Sequence, residues 1–124
     1  MLRVPSNEIP ASYLAVLSDP KTQKPVLLVS AGRTSDLLWV KTLDPAIHVT
    51  EKSLELWALP AQGNPRSLGL VSADEKTMLK LVSIADHSLA EVPVLAVSLE
   101  PKGGSPTGAP TGPVLFTGRC VQYW

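Results

Sequence analysis

The chain has 124 residues, with Lys+Arg and Asp+Glu both at 11 and a single cysteine, Cys120. That length suits one domain with one core, and balanced charge without a basic stripe argues against a nucleic-acid binder. A lone cysteine excludes an intrachain disulfide framework, and no apolar run approaches the ~18–20 residues a spanning helix needs.

The opening "MLRVPSNEIP" has one positive charge and no apolar core of a signal peptide. Residues 1–11 read as a tether, and 12–124 as a single β domain. The 12 prolines each remove a backbone donor and clash with a preceding helical turn, which argues against a mostly helical chain.

Short runs rich in Val, Leu and Ile lie between the prolines. "SYLAVLSD" (12–19) and "PVLLVSA" (25–31) flank the polar turn "PKTQK" and predict a β-hairpin. "DLLWVKTL" (36–43) follows. In "SLELWALP" (53–60), Leu54, Leu56 and Ala58 alternate with Glu55, Trp57 and Leu59, the period of a strand. "RSLGLVS" (66–72) comes next.

"KTMLKLVS" (76–83) fits two patterns. Ser72 with Glu75 resembles a capping box, and Met78, Leu81, Val82, Ala85 and Leu89 fit a helical face. Alternation and the neighbouring strands favour a strand over 76–83, then a short helical turn over 84–91. "VPVLAVSLE" (92–100) and "PVLFTGRCVQYW" (113–124) complete about eight strands. Turns every 8–12 residues predict an all-β fold, an antiparallel β-sandwich or barrel, with the sandwich preferred.

Residues Pro101 to Pro113 hold four of the 12 prolines and four of the eight glycines. Ser105-Pro106-Thr107-Gly108 and Ala109-Pro110-Thr111-Gly112 each fit a type I turn, with Pro second and Gly fourth. Two such turns predict an ordered crossover packed on the sheet, against the alternative of a disordered linker. Glu100, at a strand end, is placed to accept backbone N–H groups from the Gly103-Gly104 region and lock that loop.

Constellations for chemistry are missing from the pattern. His48 and His87, with Cys120, show no metal-ligand spacing, and no metal or cofactor is expected. Asp36 and Asp44 read as turn residues, and so does the Asp74-Glu75 pair. Ser67 and Ser98 lack a G-x-S-x-G setting, and no phosphate-cradling glycine loop occurs. An enzyme is not expected. Trp57 is expected to fill the core beside Leu54 and Leu59, with a partner for its indole N–H. Trp124, beside Tyr123, is open between an aromatic partner patch and terminal packing.

The segments Glu55-Leu56-Trp57, Arg66-Ser67-Leu68-Gly69, and Val97 through Val114 closely resemble the C-terminal domain of the anti-sigma-K factor family. The last of these carries Ser98, Glu100, Pro101, Gly103, Gly104, Ser105, Pro106, Thr107, Gly108, Pro110, Thr111, Gly112 and Pro113. The resemblance covers roughly residues 12–119, and the tail "RCVQYW" matches no pattern of the family. It implies a structural role for these signature residues, with no catalytic, cofactor or metal site. It further implies a single-pass bacterial membrane protein whose cytoplasmic segment, absent here, sequesters an extracytoplasmic-function sigma factor. This chain would be its extracytoplasmic, periplasmic domain, which guards or senses for regulated proteolysis. Its partner would be a site-1-type protease or an envelope component. A small-ligand or cell-wall binding module is the alternative function.

Overall fold

The computed structural model describes residues 12–32, 37–43, 51–72, 77–80 and 94–123. Among the described residues there are eight strands: β1 (Ser12–Ser18), β2 (Pro25–Gly32), β3 (Leu37–Thr42), β4 (Lys52–Leu59), β5 (Arg66–Val71), β6 (Thr77–Lys80), β7 (Val94–Pro101) and β8 (Val114–Tyr123). The all-β, antiparallel expectation holds, and the proline-bounded Val/Leu runs give the strands. Over 77–80 the strand reading of the ambiguous segment is the one observed. The predicted helical turn at 84–91, the tether 1–11, Asp36, Asp44, His48, Asp74, Glu75, His87 and Trp124 lie outside the described residues.

The strands form one continuous sheet in the order β5-β4-β7-β8-β1-β2-β3-β6. A sandwich would break this into two sheets. Here each neighbour in the order is hydrogen-bonded, and accumulated twist rolls the sheet toward a barrel. The edge strands β5 and β6 come into contact. Thr42 Oγ1, at the end of β3, donates to the carbonyl of Ser72, just after β5, at 3.1 Å.

Alternation places one side chain in two inside the roll. Tyr13, Ala15 and Leu17 of β1 meet Val29, Leu38, Val40, Leu54, Leu56, Leu95, Val97 and Phe116 in the core. The β1–β2 hairpin closes through Asp19. Its N–H donates to Lys24 O (3.0 Å), its carbonyl accepts from Gln23 N–H (2.8 Å), and its carboxylate accepts from Lys21 N–H (2.7 Å). This is the Asx-type side-chain turn that Asp favours.

Strand β1 is central. It pairs with β2 from Ser12↔Gly32 to Ser18↔Pro25. On its other edge it pairs with β8 at Ser12↔Tyr123, Tyr13↔Gln122, Leu14↔Val121 and Ala15↔Cys120, then again only at Ser18↔Thr117. Gly118 sits at this interruption, where a Cβ would lie 2.2 Å from the carbonyl oxygen of Val16. Only a glycine lets the two backbones come so close. Cys120 is half-buried against the core. Burial pushes its thiol up to about 11, so it stays protonated at neutral pH.

Candidate functional site: the pinned crossover

The middle of β4 is buried on both faces. Leu54, Leu56 and Ala58 face the core, yet Glu55 and Trp57, on the opposite face, are also buried. The same holds for β7, where Ser98 and Glu100 are fully buried beside Leu95 and Val97. The β7–β8 crossover supplies the second cover. Residues 101–113 fold back over the outer face of β4 and β7, and two carboxylates pin them there.

Glu55 holds the outgoing limb. Its Oε1 accepts from Ser105 N–H at 2.8 Å, and its Oε2 accepts from the Ser67 hydroxyl of β5. Nearby, Gly103 N–H donates to Ser53 Oγ at 2.9 Å, and Gly104 N–H donates to Pro101 O at 2.8 Å. Gly103 takes φ +95°, as the third position of a type II turn demands. Gly104 takes φ +111°, and a Cβ there would be 3.3 Å from Glu55 Oε1.

Glu100 holds the returning limb. It accepts from Thr111 N–H (3.0 Å to Oε2), Gly112 N–H (3.2 Å) and the Thr111 hydroxyl (2.5 Å). From below, Ser98 Oγ donates to Glu100 Oε2 at 2.5 Å and accepts from Trp57 Nε1 at 2.8 Å. The chain indole → serine → carboxylate → crossover satisfies every polar atom in it. Among the described residues, no buried side-chain nitrogen or oxygen lacks a partner.

Three expectations need correction. Glu100 does lock the loop, but through Thr111 and Gly112 and not through Gly103-Gly104. Its side chain lies on the face crossed by the return limb, while Glu55 and Ser53 face the outgoing limb. The Ser105–Gly108 turn is closed by side chains. Ser105 Oγ accepts from Thr107 N–H at 3.2 Å and donates to Ala109 O, and Thr107 Oγ1 accepts from Ala109 N–H at 3.3 Å. In the second unit the donors turn toward Glu100. Finally, Trp57 is fully buried, but on the face opposite Leu54, outside the main core.

Half of the signature residues converge here. Glu55, Trp57, Ser67, Ser98, Glu100, Gly103, Gly104, Ser105, Thr111 and Gly112 make up the lock. Leu56 and Leu68 are core. Gly69 sits opposite Leu56 with φ +130°. Arg66, Pro106, Thr107 and Gly108 are exposed, and Pro101, Pro110 and Pro113 punctuate the crossover. Ser53 was missed in the sequence, where a serine at a strand start carries no signal.

Burial alone would raise the Glu100 pKa. Hydrogen bonds from Ser98, Thr111 and the Gly112 amide outweigh it and hold the carboxyl below its ordinary value of 4.5. A carboxyl lowered on folding stabilises above its unfolded value and loses that contribution as pH falls through the folded one. Urea midpoints should therefore fall on the acid side of the ordinary carboxylate range. Glu100→Gln should cost about 1–3 kcal/mol at pH 7 and flatten that acid limb. Parallel acid limbs in the two proteins would refute the role.

A carboxylate surrounded by neutral donors stabilises a loop. The arrangement defines a small rolled β module with a pinned crossover. Residues 3–114 match the family model described as anti-sigma-K factor RskA, C-terminal, and the chain belongs to that family. No curated protein and no solved structure gives a match. Membership makes the chain a regulatory module of an anti-sigma factor, tied to a sigma factor as partner.

Proposed function

We propose that this domain is the extracytoplasmic, non-catalytic half of a membrane-anchored anti-sigma factor, and that it restrains regulated proteolysis by remaining folded. The observation that carries the reading is the position of β1. In this reading the membrane tether, residues 1–11, runs directly into β1. That strand is central, with neighbours on both edges. A site-1-type protease that takes its substrate as an extended chain meets a strand whose edges are already paired. The sigma factor would be bound by the cytoplasmic segment and not by this domain.

The test is a full-length, membrane-tethered protein carrying Leu56→Ala. Leu56 is fully buried in the core and away from the crossover, and its truncation should cost about 2–5 kcal/mol. Cleavage of the anti-sigma factor and sigma-dependent transcription should both rise at matched protein levels. Unchanged cleavage with a demonstrably unfolded outer domain would refute the guard role.

One observation favours the alternative, a ligand-binding module. Trp39 is half exposed and lines a cavity of about 200 Å³ with Leu28, Ser30, Val40 and Lys41. Small-molecule sites usually enclose ~300–1,000 Å³, so this hollow is undersized, and the guard reading stands ahead of it.

A further inference from the structure

The crossover covers the outer face of β4 and β7, and the strands on the other side of β8 present a different surface. None of the residues of β8, β1, β2 and β3, four successive neighbours in the sheet, is acidic. Register and alternation fix what their outer face carries. Ala15, Leu17, Val29 and Val40 point into the core, so Leu14, Val16, Leu28, Ser30, Trp39 and Lys41 point out. Ser30 stands opposite both Leu14 and Trp39, and Leu28 stands opposite both Val16 and Lys41. On β8, the pairs Ala15↔Cys120 and Ser18↔Thr117 keep one register, which sets Arg119 opposite Val16. The face therefore carries a row Arg119, Val16, Leu28, Lys41, with a cation at each end, beside a second row that ends in an indole. Trp39 is 50% exposed and Val16 40%. Lys41 and Arg119 are exposed, and Leu14 and Leu28 are half-buried.

We infer that this face docks on the surface of an anionic lipid bilayer, with Trp39 at headgroup level and Lys41 and Arg119 on lipid phosphates. An indole, apolar at one end and a hydrogen-bond donor at the other, prefers the membrane–water interface. Exposed aliphatic surface next to it marks a partner and not bulk water. Long basic side chains lay their stems along such surface and carry the charge outward, where an anionic leaflet attracts each of them. A second copy of the chain fits less well. A two-fold pair would set these cations against strands that hold no acid to meet them. An acidic polysaccharide would satisfy Lys41 and Arg119 but would leave Val16, Leu14 and Leu28 without an apolar partner. The inference goes beyond the guard reading and stands on the face itself. If residues 1–11 tether the domain as proposed, they span at most about 40 Å, which keeps the face within reach of the bilayer.

The test uses the full 124-residue chain with vesicles of phosphatidylcholine, alone or mixed with phosphatidylglycerol. Co-sedimentation should show binding to the mixed vesicles and little to the neutral ones, and the binding should weaken as salt rises. The double variant Lys41→Gln, Arg119→Gln should reduce the partition about 20-fold. The matched control Lys52→Gln, Lys102→Gln removes the same charge from exposed positions on β4 and the crossover, and it should change the partition less than about 3-fold. All four positions are exposed, so urea midpoints should stay equal and folding is not the variable. Brominated acyl chains should quench the tryptophan emission of the parent chain and quench it less in Trp39→Phe. Absence of binding to the mixed vesicles would overturn the proposal. So would equal losses in the two double variants, which would report net charge and not this face, or quenching unchanged in Trp39→Phe. Binding to soluble polygalacturonate through Lys41 and Arg119, without binding to vesicles, would overturn it in favour of an acidic polysaccharide. The guard role is judged separately, by cleavage of the Leu56→Ala protein, so either reading can fail while the other stands.

Discussion

Trp57→Ala should cost about 3–5 kcal/mol, a large share of the ~5–15 kcal/mol that a domain of this kind holds. Trp57 is fully inaccessible and sits between the sheet and the carboxylate network. Truncation opens a cavity, and it also deprives Ser98 Oγ of its indole donor directly beneath Glu100. The loss should appear as a lower urea midpoint and a melting temperature lower by roughly 10–20 °C. Trp57→Phe separates the two contributions, because it keeps most of the ring and removes only the N–H, at about 1–3 kcal/mol. If Trp57→Phe proved as damaging as Trp57→Ala, the indole donor and not the filled volume would set the stability. If Trp57→Ala cost under ~1 kcal/mol, the second layer over β4 and β7 would carry no weight.

Gly112→Ala should be comparably severe, although it adds a single methyl. A Cβ at this position would lie 1.7 Å from the carbonyl oxygen of Leu99 and 2.9 Å from its carbon. Both are rigid backbone atoms, so the crossover must lift. Lifting breaks the Leu99 N–H to Pro113 O bond at 3.0 Å and the Thr111 and Gly112 donations to Glu100. The expected loss is ~3 kcal/mol or more. Gly108→Ala makes a useful contrast. Gly108 has positive φ, at +82°, which Gly112 does not, but nothing lies within 4 Å of the added Cβ, so it should cost only about 1 kcal/mol of backbone strain. Equal denaturation midpoints for the two variants would show that the close approach at Leu99 is unimportant.

The strands were legible because each is a short apolar run fenced by prolines or turn residues, and that information is local. The hairpin through Asp19 was readable for the same reason. The crossover's order could be foreseen from its paired Pro-x-Gly units. Of its fastening, only a locking role for Glu100 could. Period-two alternation assigns Glu55 and Trp57 to the solvent face of β4, and they become buried only because a segment about fifty residues later folds over them. Which carboxylate meets which amide depends on how the two limbs cross β4 and β7, a long-range matter that spacing along the chain does not encode. The single rolled sheet was equally hidden, since strand lengths and turns look alike in a sandwich and a barrel.

The pairing of β1 with β8 joins the two ends of the described chain. A ribosome makes β1 first and its neighbour last, so the sheet cannot close around β1 until synthesis of the domain is nearly finished. Such non-local pairing slows folding, because loop-closure entropy is lost before the contacts form. A chain interrupted before β8 would expose one edge of β1 and one edge of β7, and would be open to strand addition and degradation. Closure is thereby written into the architecture: β1 is shielded on both edges only once β8 has been made.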